Sequence, residues 1–322
     1  IVFGDWSSDV CSSDLTGFFH NAYFFYSDYF GWVRDRNFGL SALLSNPLNK
    51  FERIDFGISA MGISRSYLDI ADDIVDMAIG EGFLSPRNRY FLLNSLSYTK
   101  DTSVWGYTGP TNGSGMSFGV TYSPGMGKNG IDFATFRGDW RRYTRIVRDY
   151  GFATRLAGGF SEGKNKQKFF LGGMPNWLNH YFFGGIRVEH IEDIYFASFE
   201  MPLRGADYYT LEGNRFFMGN FEFRFPLVRH LLMGFPLPIG ISNIGGALFT
   251  DIGAAWDKGK RLDKVFKLNR NSLYTDNLFV SYGFGARMNL GFLLLRLDLA
   301  WPTNFYRSAT SPQVLWSLGA DF

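Results

Sequence analysis

The chain has 322 residues, a formal net charge of +2, and 46% hydrophobic and 19% aromatic residues, yet its mean hydropathy is only -0.09. That balance gives no reason to expect nucleic acid as a partner, and no stretch approaches the roughly 20 consecutive apolar residues of a spanning helix. The 38 glycines, 35 phenylalanines and 17 tyrosines suit many amphipathic strands with aromatic girdles, although a soluble β-protein with one-sided sheets would show the same alternation.

The first residues stand apart. Gly4 to Leu15 reads GDWSSDVCSSDL, which looks like translated sequencing adapter of the kind found at the ends of metagenomic gene fragments. Residues 1–15 are expected to be artefact or disorder, so fold reasoning starts at Thr16. They hold Cys11, the only cysteine, which leaves the rest without a disulfide framework or a thiolate metal site. No metal and no cofactor is expected. The chain opens at Ile1 without a signal-peptide pattern, so the N-terminus of an exported protein, with any periplasmic domain, is expected to lie outside it.

From Thr16 onward, period-two alternation marks about a dozen strands. Phe18 to Ser27 is the first, with a loop expected over Tyr29 to Asp35. Asn37 to Ser45 sets Phe38, Leu40, Ala42 and Leu44 on one face. Asn46-Pro47-Leu48-Asn49 has turn chemistry, and Phe51 to Ile63 alternates again. Three such strands predict an up-and-down meander.

Ser64 to Gly82 breaks the rhythm. Tyr67, Ile70, Ile74 and Met77 recur at three- and four-residue spacing among Asp69, Asp72, Asp73 and Asp76, which predicts a short acidic amphipathic helix. A solvated acidic face outweighs a cation site here, because no regular calcium-loop spacing is present.

Strands resume at Tyr90 to Tyr98 and Gly115 to Ser123, where Met116, Phe118, Val120 and Tyr122 share a face. Gly125-Met126-Gly127-Lys128 lacks the earlier glycine of a phosphate loop and reads as a hairpin loop. Ile131 to Arg142 and Tyr150 to Phe160 form the next hairpin, with Arg137, Asp139, Arg141 and Arg155 on the face a wet lumen would take. Ser161 to Asn214 then shows little alternation over more than fifty residues, and a segment of that length is functional or disordered in most proteins. In Arg215 to Pro226, Phe217, Phe221, Phe223 and Phe225 oppose Asn220, Glu222 and Arg224, an arrangement that fits lipid on one side and a polar lumen on the other.

The stretch MPLRGADYYTLEGNRFFMGNFEFRFPL (Met201 to Leu227) resembles the signature segment of the bacterial surface antigen family, the barrels of the outer-membrane assembly factors BamA and TamA. GGALFTDIGAAW (Gly245 to Trp256) resembles that family's strand with a lumen-facing aspartate. SYGFGARMNLGFLLLRLDLAWP (Ser281 to Pro302) resembles the two strands and tight turn that follow. The chain ends with Trp316, Leu318, Gly319 and Phe322 in an alternating strand closed by an aromatic, similar to the terminal signal of outer-membrane barrels. The resemblance covers about Phe152 to Phe322.

The resemblance implies an all-β fold: a transmembrane antiparallel β-barrel over residues 16–322, with both termini in the periplasm and a long extracellular loop, 161–214, folded inward. It implies that Arg204-Gly205 sits against the inner wall and that Arg204 meets Glu222 and Asp251, a lumen lock. Ala206 departs from the family's aromatic at that position. Family barrels have sixteen strands, so the four N-terminal ones would be missing, with a twelve-stranded closure as the alternative.

The implied partners are outer-membrane lipid and lipopolysaccharide, the barrel assembly machinery, and client outer-membrane or secreted proteins. The implied role is insertion or translocation of those clients. Two alternatives stand beside it. One is a passive barrel anchoring a periplasmic or surface domain, since Ser27-Asp28-Tyr29-Phe30-Gly31 resembles barrels fused to TolB-like propellers; the other is a solute channel, which the inward loop would obstruct. Catalysis is not expected, because none of His20, His180, His190 and His230 sits in a G-x-S-x-G or H-E-x-x-H context.

Overall fold

The structure, a computed structural model, describes residues 13–27, 31–84, 86–180, 197–233, 239–267 and 277–319 except 292, together with residues 273 and 275. Long alternating segments build its wall. The first are β1 (Ser13–Ser27), β2 (Gly31–Asn49), β3 (Glu52–Tyr67) and β4 (Asn88–Asp101), followed by a short β5 (Val104–Gly106). Next come β6 (Gly109–Ser123), β7 (Phe133–Val147) and β8 (Tyr150–Gly163). After the inward segment the wall continues with β12 (Arg215–Met233), β13 (Ile239–Trp256), β14 (Leu278–Asn289), β15 (Leu294–Pro302) and β16 (Gln313–Leu318). Apart from β5, which pairs with β6, they form one path in chain order, interrupted only where β8 pairs with β12. Every wall pairing is antiparallel. Among the described residues no ladder joins β1 to β16.

Register turns alternation into two faces. On the outside Leu40 is 64%, Phe118 54%, Phe152 52% and Leu248 51% exposed, whereas the inward Asn220 and Asp251 are at 0%. Water would make such an apolar exterior costly, and a lipid exterior makes it favourable. A Phe118→Arg substitution, midway along β6, is expected to lower stability by about 2–4 kcal/mol in lipid. Arginine at the half-buried neighbour Ser117, on the opposite face, is expected to cost much less. Urea titration in vesicles checks this, and equal costs at the two sites would reject the assignment of faces.

The inward segment is not structureless. It contains β9 (Phe169–Leu171), β10 (Ser198–Glu200) and β11 (Leu211–Gly213), a small sheet in the order β10-β9-β11. Phe169, Leu171, Leu203, Ala206 and Leu211 pack with Ala157, Phe216, Met218, Ala255 and Phe279 of the wall in one buried cluster. The sparse alternation over 161–214 has its reason there: three-residue strands are too short to show a period.

Other boundaries move as well. β1 opens at Ser13, so the last three residues of the segment set aside as artefact or disorder pair with β2. Gly31 to Asp35, expected in a loop, is strand. The turn expected at residues 46–49 falls at Lys50 and Phe51 instead, because β2 runs on to Asn49 with a register shift after Pro47.

The helix is α1 (Asp72–Gly80), and its inward stripe differs from the expected one. Tyr67 belongs to β3 and Ile70 precedes the helix, both at the buried cluster as expected, but Ile74 and Met77 are exposed, and the helix itself packs through Val75, Ala78 and Ile79 on Val33, Tyr67 and Leu84. Asp72 and Asp76 each pair with Arg87. A second short helix, α2 (Leu262–Val265), lies between β13 and β14.

Candidate functional site

Where the inward segment turns back, Leu203 and Arg204 are fully buried. Gly205 takes φ +86°, and a Cβ there would stand 3.2 Å from Ala300 Cβ and 3.4 Å from Ser281 Cβ. Glycine adopts that left-handed backbone without strain, which lets the chain reverse against β14 and β15. Ser281 Oγ donates to the Arg204 carbonyl.

The reversal aims the Arg204 guanidinium at two carboxylates held by adjacent strands. Its Nε donates to Asp251 Oδ2 at 2.7 Å, its Nη2 to Asp251 Oδ1 at 2.7 Å, and its Nη1 to Glu222 Oε1 at 2.6 Å. The Arg204 backbone N–H adds a bond to Asp251 Oδ2 at 3.1 Å. A planar fork meets one carboxylate with two parallel bonds while its remaining arm reaches the second, a geometry no ammonium reproduces. All three side chains are fully buried.

More groups converge than the resemblance implied. Glu222 also accepts from Arg224 Nε at 2.8 Å and Arg287 Nη2 at 2.8 Å. Asn220 Nδ2 donates to Asp251 Oδ1 at 2.9 Å and to the Pro202 carbonyl at 2.8 Å. The Arg204 Cζ lies 3.6 Å from the Phe249 ring centroid, a cation–π contact that favours a flat cation over a compact one. Arg224 stood on the expected inward face. Phe249 and Arg287 do not announce themselves locally; finding Arg287 requires knowing that it pairs opposite Gly245, beyond the strand that carries Asp251.

Further ties hold the segment. Glu200 pairs with Arg137 at 2.9 Å, and Arg155 donates to the Met201 carbonyl as well as to Asp139, at 2.8 Å from its Nε. Arg141 also pairs with Asp139. The four charged residues expected inside, Arg137, Asp139, Arg141 and Arg155, thus form a row of pairs running from the wall to the inward segment. Where the family has an aromatic, Ala206 is buried in the shared cluster, while Tyr209 packs edge-on against Phe170 and Phe199. Beside the Asp139–Arg141 pair lies a cavity of about 640 Å³ lined in part by Lys100, Asp101, Asp139, Arg141 and Tyr143.

A model of the Omp85 superfamily domain matches residues 83–322, well over half of the chain. The chain belongs to the Omp85 superfamily. The crystal structure of BamA from Haemophilus ducreyi lacking POTRA domains 1–3 is similar over 95% of this chain and 58% of that one, with a TM-score of 0.60 at 13% identity. At that identity the likeness is one of fold: an antiparallel outer-membrane barrel of the BamA and TamA kind. The chain spans 58% of the length of that BamA chain. No curated protein matches the chain.

Placed on this Omp85 barrel, the remaining expected residues separate. Trp316 and Leu318 lie in β16, with Trp316 exposed on the outer face. Gly319 takes φ +93° and donates its N–H to the Leu294 carbonyl, and Phe322 lies outside the described residues. His180 packs at a tilt against Trp177 and edge-on against Tyr208; His20 and His230 lie in wall strands, and His190 is outside the described residues. Among the described residues no group of His, Cys, Asp and Glu could hold a metal ion.

Proposed function

We propose that this Omp85 barrel assists insertion or translocation of other proteins at the outer membrane, and that Arg204 serves it as a lumen lock. The observation that carries the reading is the inward segment itself, packed on the wall through its own buried cluster and fastened by Arg204 to Glu222 and Asp251. Ordered polypeptide packed inside the wall narrows the path a small solute would take, which favours this reading over a solute channel. Access for polypeptide along the wall is compatible with a filled lumen.

The proposed setting is bacterial outer-membrane lipid with lipopolysaccharide, next to the barrel assembly machinery, with unfolded outer-membrane or secreted proteins as clients. The test is reconstitution into lipid vesicles followed by addition of a urea-denatured eight-stranded outer-membrane barrel. The folded client is read as its heat-sensitive band on a gel. Folding several-fold faster than in empty vesicles is expected. The same rate in both would overturn an inserting role and leave the barrel an anchor.

A further inference from the structure

A strand at the end of a sheet presents unpaired backbone groups and invites pairing. β16 ends the wall path, and it pairs with β15 on one side. Its other edge is occupied by residues 176–179, a piece of the inward segment more than 130 positions earlier in the chain. Leu178 N–H donates to the Trp316 carbonyl at 2.8 Å, and Leu318 N–H donates to the Asn176 carbonyl at 3.3 Å. Trp177 and Ser317 form the antiparallel bridge between those bonds.

Where the segment leaves strand geometry, asparagine amides continue the pairing. Trp316 N–H donates to Asn179 Oδ1 at 2.8 Å, Asn179 Nδ2 donates to the Val314 carbonyl at 2.9 Å, and Asn176 Nδ2 donates to the Leu318 carbonyl at 3.2 Å. A carboxamide carries the same donor and acceptor as a peptide group, so both asparagines act as stand-ins for missing backbone. The side chains follow the wall's alternation. Trp177 packs inward against Met174, Phe249, Ala300 and Leu315, whereas Leu178 is exposed, as Val314 and Trp316 are.

The segment is also tethered to the locked part of the loop. Tyr208 donates its hydroxyl to the Met174 carbonyl at 2.6 Å and packs on Trp177, and Gln313 Nε2 of β16 donates to Asp207 Oδ1 at 3.1 Å. Phe249 lies under both the Arg204 guanidinium and the Trp177 cluster.

We propose that residues 176–179 are a built-in cap on the edge of the last strand. They hold the hydrogen-bonding positions an added strand would use, and they must withdraw before any extended segment pairs there. Backbone pairing is blind to sequence, so the cap seals the edge against every strand alike, including the edge of another copy.

Two measurements test it. The bridged pair lies between two single bonds, which makes it the narrow kind of antiparallel pair, with Cα atoms about 4.5 Å apart and within reach of a disulfide. A Trp177→Cys, Ser317→Cys chain, with Cys11→Ser, is expected to cross-link internally on oxidation. A Leu178→Cys, Ser317→Cys chain, whose side chains point to opposite faces, is not. In the second measurement, Asn179→Ala removes two of the five edge bonds, and amide exchange at Trp316 is expected to quicken by about tenfold or more. The Leu315 and Ser317 amides, which point to β15, should hold their rates. No cross-link above the control pair, or Trp316 exchange unmoved by Asn179→Ala, would overturn the cap.

Discussion

Replacing Arg204 by alanine is expected to destabilise the barrel by about 3–5 kcal/mol, the range for breaking a buried ion pair by removing one partner. The loss falls unevenly on the two acids. Glu222 keeps Arg224 and Arg287, so its charge stays compensated. Asp251 keeps only the Asn220 amide and a backbone N–H among its described hydrogen bonds, in a site with no exposure, and becomes the buried charge that drives the loss.

The inward segment should then become accessible. Protease added to intact cells is expected to cut within 161–214 in the variant and to spare the parent. Arg204→Lys should recover only part of the protection, since one ammonium cannot bond both Asp251 oxygens and Glu222 while lying flat on Phe249. Charge reversal sharpens the test. Arg204→Glu should be rescued better by Asp251→Arg than by Glu222→Arg, because the latter adds a third guanidinium beside Arg224 and Arg287. Equal protease resistance in Arg204→Ala and parent would reject the lock.

The parts of this molecule that were legible in the sequence are those governed by local period. Phe38, Leu40 and Leu44 face outward in β2 as their alternation requires, and Glu222 and Asp251 lie inward on adjacent strands. Turn chemistry misled at Pro47 for a physical reason. β2 and β3 shift register between Pro47 and Asn49, a bulge-like irregularity near the end of their ladder. A proline is tolerated at such a break, where its missing N–H does not interrupt a regular ladder.

The helix stripe failed through phase. Tyr67 and Ile70 do face the cluster, but within the helix residues 75, 78 and 79 fit a three-and-four spacing as well as 74 and 77 do, and only the packing on Val33, Tyr67 and Leu84 chooses between them. The cap on β16 and the second and third arginines on Glu222 depend on contacts between distant positions. Arg287 and Glu222 are 65 residues apart, and no periodicity within either strand reports their meeting.

Glu222→Gln is expected to cost stability on the same scale, about 3–5 kcal/mol, and to do so with almost no change in volume. The carboxylate is the point where three guanidiniums meet: Arg204 from the inward segment, Arg224 from its own strand and Arg287 from β14. A neutral amide still offers one oxygen, yet its nitrogen end is a donor facing donors. The positive charges then repel across a few ångströms with no counter-charge between them. Arg224 is further tied to the Pro110 carbonyl of β6, so strain at the hub reaches β6 as well as β12 and β14.

Arg224 and Arg287 also line a cavity of about 230 Å³ whose wall includes Arg145, Arg148 and Arg229, with Asp149 as the nearby acid. Loss of the Glu222 charge leaves that cavity strongly cationic, and clefts lined by one sign of charge concentrate counter-ions. In planar bilayers the variant is therefore expected to show larger currents than the parent, with anions favoured over cations. The selectivity should fade as salt shortens the Debye length below about 10 Å. Denaturant unfolding supplies the second reading. A Glu222→Gln barrel within about 1 kcal/mol of its parent, the range of a hydrated exposed pair, would mean that lumen water already screens these arginines and that Glu222 is not their hub.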